Sequence, residues 1–344
     1  MFTKIALVLL CLAAWCPAQE ILTLKSGTTE NLRGLHSLHT GVVWASGTHG
    51  TYLRSLDNGQ TWSASSVPGA EALDFRDVEA FDADTALLLS AGPGEQSRIY
   101  KTKDGGKSWA LQFTNHDPKG FFDCMAFWDR EHGIALGDPI DKKFQLLATN
   151  DGGNSWNSIP HISIPAAIEG EGAFAASGTC IAVQGKRNAW FVTGGKAARV
   201  FRSADRGHTW KAVEVAIMHG DSAGVFSIAF RDRLHGAIAG GDYKKPDQGG
   251  ANIALTDDGG AAWKLVSLSP TSYFSAATWS GTKLLVAGSS HAGFLNHADD
   301  RIWAKYWDVQ LNSLSPSSAN QVFGVGPNGT IVRFDLSSKP RKTK

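Results

Sequence analysis

An eight-residue pattern that recurs five times constrains this chain more than any other feature. It first reads Ser55-Leu56-Asp57-Asn58-Gly59-Gln60-Thr61-Trp62. It returns as Thr102-Lys103-Asp104-Gly105-Gly106-Lys107-Ser108-Trp109, as Thr149-Asn150-Asp151-Gly152-Gly153-Asn154-Ser155-Trp156, and as Ser203-Ala204-Asp205-Arg206-Gly207-His208-Thr209-Trp210. The fifth copy, Thr256-Asp257-Asp258-Gly259-Gly260-Ala261-Ala262-Trp263, carries alanine where the others carry serine or threonine, and a worn sixth ends at Trp303. The tryptophans of the close copies lie 47, 47, 54 and 53 residues apart. A period of that size marks a stack or ring of supersecondary units.

The flanks repeat as well. A short apolar run ending in glycine recurs from Val42 to Gly47, Gly133 to Gly137, Trp190 to Gly194, Gly236 to Gly240, Lys283 to Gly288 and Gln321 to Gly326; with the run from Ala86 to Gly92 there are seven. A further strand precedes each, such as Phe75 to Phe81 or Val225 to Phe230. Roughly 47 residues per unit suit four short antiparallel strands and their turns. No segment sustains a helical period, which excludes a helical solenoid. The pattern predicts an all-β fold, a seven-bladed β-propeller of four-stranded antiparallel blades over residues 19–336. The last unit stops after Ile331 to Phe334 without an outer strand, so the N-terminal strand from Glu20 to Lys25 is expected to complete it and close the ring.

Composition narrows the function classes. Lys plus Arg number 33 against 32 Asp plus Glu, which leaves no bulk basic charge for nucleic acid. Residues 1–18 read as a signal peptide: Lys4, an apolar run from Ile5 to Trp15, then Cys16-Pro17-Ala18. The run is too short to span a membrane, and no later one is longer. The expectation is cleavage after Ala18 and an exported, periplasmic or extracellular chain without a transmembrane segment. Lipid attachment at Cys16 is the lesser alternative, because bulky Trp15 precedes it. Residues 337–344 form a basic tail through Lys339, Arg341, Lys342 and Lys344, read as solvated. Cys124 and Cys180 remain after cleavage, at similar heights in successive repeats. Two buried thiols are the expectation, a single bridge the alternative. No spacing suggests a metal or a cofactor.

The octapeptide explains itself structurally. Its aspartate can accept backbone N–H groups within a tight turn, its glycine takes a positive φ, its hydroxyl residue adds a local hydrogen bond, and its tryptophan wedges beside a neighbouring sheet. Asp57, Gly59, Trp62, Asp104, Gly106, Trp109, Asp151, Gly153, Trp156, Asp205, Gly207, Trp210, Asp258, Gly260 and Trp263 are therefore read as turn stabilisers and not as a site. These octapeptides resemble the Asp-box (BNR) repeats of sialidases, sortilin-type receptors and the photosystem II stability/assembly factor family, and the whole arrangement most resembles the last. The resemblance implies a non-enzymatic, extracytoplasmic propeller that helps to assemble membrane protein complexes through a protein partner. One departure stands out. Plant and cyanobacterial members of that family carry an arginine-rich patch; here Arg33 and Arg76 open inner strands, but Phe121 to Cys124, Gly178 to Cys180 and Phe274-Ser275 contain no arginine. A photosystem partner is not carried over.

Binding residues are expected on the face opposite the octapeptides, where loops from several blades converge. Second-to-third-strand turns place His49, Glu95, Asp138, Lys196, Asp242 and His291 there. The longest connection, after Trp156, contributes Glu169 and Glu171 and could dip into the channel mouth. The site prediction is Asp138, Glu169, Glu171, Lys196, Asp242 and His291, for binding and not chemistry. The alternative is a carbohydrate-active enzyme using paired carboxylates such as Glu171 and Asp138. A sialidase's early Arg-Ile-Pro is absent, and two-propeller xyloglucan enzymes need a longer chain. The match of Gly324-Val325-Gly326-Pro327-Asn328-Gly329 to a dinucleotide fingerprint is a hairpin turn, because a strand follows it.

Overall fold

The computed structural model describes residues 20–160, 163–266, 271–296 and 303–336. The expected signal peptide, the basic tail and most of the worn sixth repeat lie outside them. The described residues form seven antiparallel sheets arranged as a β-propeller. Blades 1 to 6 run outward from the central channel in chain order. In blade 1 the inner strand is Leu32–Ser37, followed by Val43–Gly47, Thr51–Ser55 and the outer Ser63–Ser66. Blades 2 to 6 begin with inner strands Phe75–Ala80, Phe122–Phe127, Ile181–Gln184, Gly220–Phe230 and Phe274–Ser280. Blade 7 begins with Ser313–Ser318. Its outer strand is Glu20–Leu24, paired from Glu20 with Asp335 to Leu24 with Ile331. The first strand thus closes the ring, as its position in the sequence predicts.

Burial explains the glycine-ended runs. Second strands have a blade on either side and are mostly buried, entirely so at Val43–Gly47 and Ala86–Ser90, whereas the outer Ser63–Ser66 is exposed throughout. A strand covered on both faces reads as a continuous apolar run. Blades are also fastened by indoles that donate to a neighbour's carbonyl. Trp44 Nε1 reaches Asp82 O at 3.1 Å, Trp128 reaches Asn188 O at 2.7 Å and Trp190 reaches Gly259 O at 2.9 Å.

The octapeptide turns lie between third and outer strands. In the first, Ser55 Oγ donates to Asp57 Oδ1 and accepts from Gly59 N–H; Asp57 then accepts Thr61 N–H at 2.9 Å and the Thr61 hydroxyl at 2.6 Å. Copies two to four repeat this set. The second glycine is required twice over. Its φ is +78° at Gly59 and +87° at Gly106, and a Cβ there would meet Phe323 or Tyr52 of the preceding blade. Trp62 and Trp109 pack on those same residues, with ring centroids 6.5 and 5.1 Å apart.

One expectation needs correction. Cys124 and Cys180 form a disulfide, with Cα atoms 6.0 Å apart. Cys124 sits on the inner strand of blade 3, and Cys180 immediately precedes that of blade 4. Adjacent inner strands converge on the channel, so two buried side chains at equal height come within bridging reach.

Candidate functional site

The connections between blades and the second-to-third-strand turns share the end of the ring opposite the octapeptides. The long connection after Trp156 crosses it. Glu171–Gly172 pairs with Gly194–Gly195, which pairs in turn with the long inner strand of blade 5. Beyond this, residues 173–179 form a strap that touches blades on every side. Ala173 N–H donates to Asp138 Oδ1 at 2.8 Å, and Ala175 O accepts from Arg76 Nη1 at 3.1 Å. Ser177 Oγ donates to Ser275 O at 2.9 Å, Ser177 O accepts from Ser313 Oγ at 3.2 Å, and Thr179 Oγ1 donates to Ser227 Oγ at 2.7 Å. These partners belong to blades 3, 2, 6, 7 and 5. The strap therefore plugs the channel mouth. Beneath it the channel is a cavity of about 700 Å³ that opens toward the octapeptide end, with His36, Asp77 and Glu79 in its wall.

The six predicted residues fall into distinct environments. Glu171 is fully buried: its two oxygens accept from Arg199 Nε at 2.8 Å, Arg199 Nη2 at 2.5 Å, the Thr193 hydroxyl at 2.6 Å and Ile168 N–H at 2.8 Å. No lone pair remains for a substrate, and its work is to anchor the strap. Asp138 lies under the strap, where burial raises its pKa to about 6 although the Ala173 N–H favours the ionised form. Asp242 is buried and caps its own turn through Ser222 Oγ at 2.7 Å and Lys244 N–H at 2.9 Å; the Ser222 hydroxyl holds its pKa below the ordinary range. Lys196 is exposed in the second-to-third-strand turn of blade 4 and pairs with Asp221 at 2.5 Å, and Glu169 is exposed on the connection after Trp156. Asp138, Glu171, Lys196 and Asp242 are thus stitched into one structure across blades 3 to 5. His291 stands apart in blade 6, buried against Phe274 and Trp303, and burial lowers its pKa. His49 pairs with Glu30 at 2.7 Å and Glu95 with His116 at 3.3 Å.

The mouth contains groups that the spacing argument did not select. Arg33 and Arg76 share Asp74, at 3.8 and 2.8 Å. Arg33 Nε, Asp74 Oδ1 and Asp123 Oδ2 are buried without a hydrogen-bond partner among the described residues. Burial, reinforced by the neighbouring Asp138 charge, lifts the Asp123 pKa well above the carboxylate range. Beside them Phe174 of the strap stacks on Phe226 at 4.0 Å, Phe226 meets Tyr273 at 4.8 Å, and Tyr243 packs on both phenylalanines while remaining 46% exposed. Unmatched polar atoms next to an accessible aromatic edge are the usual makings of a binding surface. Phe226 lies within the inner strand of blade 5, Tyr273 just before that of blade 6, Tyr243 just after the second strand of blade 5 and Phe174 on the strap, so no one repeat position marks the group in the sequence.

No protein-family model matches the chain, and no curated protein sequence does. Solved structures do share its fold. The chain superposes on YCF48 bound to D1 peptide with a TM-score of 0.66 and 15% identity, covering 94% of this chain and 100% of that one. It superposes on YCF48 from Cyanidioschyzon merolae with a TM-score of 0.65 and 15% identity, covering 92% and 99%. It also matches the GH74 enzyme of Niastella koreensis with a TM-score of 0.61 and 15% identity, covering 94% of this chain but only 55% of that one. The shared feature is the fold. Among the described residues no helix is long and apolar enough to cross a membrane, and no group of His, Cys, Asp and Glu could hold a metal ion.

Proposed function

We propose that this chain is an exported propeller that holds a protein partner at its plugged channel mouth, as an assembly or stability module for a membrane complex. The observation that carries the reading is the mouth itself, where Arg33, Asp74 and Asp123 offer unmatched polar atoms beside the exposed ring of Tyr243. A propeller of the same fold is known bound to a peptide. Export is supported by the Cys124–Cys180 disulfide, since such bonds persist in oxidising compartments. A carbohydrate-active role loses its most direct carboxylate pair, because Glu171 is saturated by Arg199, Thr193 and Ile168 and Asp138 lies under the strap.

Affinity capture from the host envelope tests this reading. The variants belong at exposed positions, Tyr243→Ala and Lys196→Glu, because lysine at Asp138, bonded to the strap, or at buried Asp242 would damage the fold itself. Enrichment of a membrane complex by the parent and its loss from the double variant is the expected result. Equal recovery by both would remove the mouth from the account, and turnover of a glycan by the purified protein would replace it with the enzymatic reading.

A further inference from the structure

The fifth octapeptide departs from the others in a way that turn stability does not explain. In the first four copies the aspartate's Oδ2 receives a serine or threonine hydroxyl, as Asp57 does from Thr61 at 2.6 Å. Ala262 supplies none. Asp258 Oδ1 accepts the Thr256 hydroxyl and two backbone N–H groups, from Ala261 and Ala262, and Oδ2 accepts nothing from the described residues.

A second departure faces it. In blades 1 and 2 the residue immediately before the octapeptide is a cation that reaches the next blade. In blade 1 this is Arg54, which donates to Ala83 O at 2.6 Å; in blade 2 it is Lys101, which donates to Gly152 O at 2.7 Å. In blade 4 it is Arg202. The carbonyl that corresponds to Gly152 O is Gly259 O, and the Trp190 indole already occupies it. Arg202 is left with no hydrogen bond or ion pair among the described residues. It lies in register beside Lys211 on the outer strand, and both line an interblade cleft of about 440 Å³ together with Arg233 and Asp258. Arg202 and Asp258 share this cleft without closing to an ion pair.

Three cations without salt bridges among the described residues and one carboxylate oxygen with an open acceptor site make a mixed recognition surface. We propose that this cleft between blades 4 and 5 binds a phosphate ester whose alcohol carries a free hydroxyl, the phosphate on Arg202, Lys211 and Arg233 and the hydroxyl donating to Asp258 Oδ2. Glycerol phosphate has this chemistry, both as a free ester and as the headgroup of phosphatidylglycerol. The site lies at the opposite end of the ring from the channel mouth and does not depend on the reading of that face.

Titration calorimetry of the full-length mature protein with sn-glycerol 3-phosphate tests the proposal, with inorganic phosphate as the second probe and vesicles of phosphatidylglycerol in phosphatidylcholine as the third. Saturable binding of the free ester, or sedimentation with the vesicles, is expected from the parent. Arg202→Ala should weaken either by about tenfold, the scale of one charge-assisted contact. Asp258→Asn should weaken sn-glycerol 3-phosphate while leaving or improving inorganic phosphate, an opposition that bulk electrostatics cannot produce. Lys211→Ala and Arg233→Ala, at exposed positions, give the same comparison should Arg202→Ala fail to fold. Binding to vesicles alone assigns the headgroup as the source. Absence of binding in all three arms, or affinity unchanged in every variant, overturns the proposal.

Discussion

The two ends of this ring use aspartate in opposite ways. At the octapeptide end the carboxylates are surrounded by donors. The Thr61 hydroxyl and N–H hold Asp57 at about 2, and Ser108 does the same for Asp104. Partial burial pushes Asp151 and Asp205 upward, but the Ser155 and Thr209 donors more than offset it and again give about 2. At the mouth and in the channel wall, burial wins at three aspartates, while Asp242 is held low by the Ser222 hydroxyl. Asp138 rises to about 6, and Asp77 and Asp123 rise well above the ordinary range, helped by the charges of Glu79 and Asp138. The same side chain is a saturated fastener at one end and a reserve of unmatched polarity at the other. Repetition keeps the first end uniform, whereas each blade contributes something different to the second.

The contrast can be broken most severely at Glu171. Glu171→Ala strands the Arg199 guanidinium in the interior, and a loss of about 3–5 kcal/mol in denaturant-unfolding stability is expected. Opening the cross-blade bridge with Cys124→Ala and Cys180→Ala should cost about 2–4 kcal/mol, measured against the oxidised parent. The pH response separates the two ends by sign. Asp138 has a raised pKa in the fold, so its contribution is fully present below the ordinary value of 3.8 and is lost as pH climbs to about 6. Asp138→Asn keeps the acceptor for Ala173 N–H and no longer titrates. Relative to that variant, the parent should lose roughly 2–3 kcal/mol between pH 4 and 7, at about 1.4 kcal/mol for each pKa unit. The octapeptide carboxylates run the other way: their contribution is present above 3.8 and is lost as pH falls through about 2. An unfolding series from pH 7 down to 2 reads both trends. The smallest effect belongs to Ala262→Thr, which restores the missing hydroxyl to Asp258 and should add about 0.5–1 kcal/mol.

This contrast also governs what the sequence could disclose. The octapeptides were legible because one physical problem, a tight turn packed against the preceding blade, is solved the same way in the first four copies and nearly so in the fifth. Asp57, Gly59 and Trp62 each answer one part of it, so their spacing gives the period, while the seven glycine-ended runs and the N-terminal strand forecast blade number and ring closure. The mouth offers no such redundancy. Asp138, Lys196 and Asp242 could be placed at one end by counting strands. That Glu171 turns inward to Arg199, some thirty residues on, depends on the path of one long connection. The bridge between Cys124 and Cys180 escaped for a related reason: equal height in successive repeats is visible in the sequence, but the approach of inner strands at the channel is a property of the closed ring. The aromatic group of Phe174, Phe226, Tyr243 and Tyr273 draws on three segments that no single repeat brings together.

Photocrosslinking from the two ends tests the central claim most directly. A benzophenone amino acid in place of Tyr243 samples the mouth, and one in place of Leu56, 56% exposed within the first octapeptide, samples the other end. The account predicts that, in the native envelope, the Tyr243 position yields a discrete crosslinked partner from a membrane complex and the Leu56 position does not. A partner captured from Leu56 alone would contradict it and move the interaction to the octapeptide end.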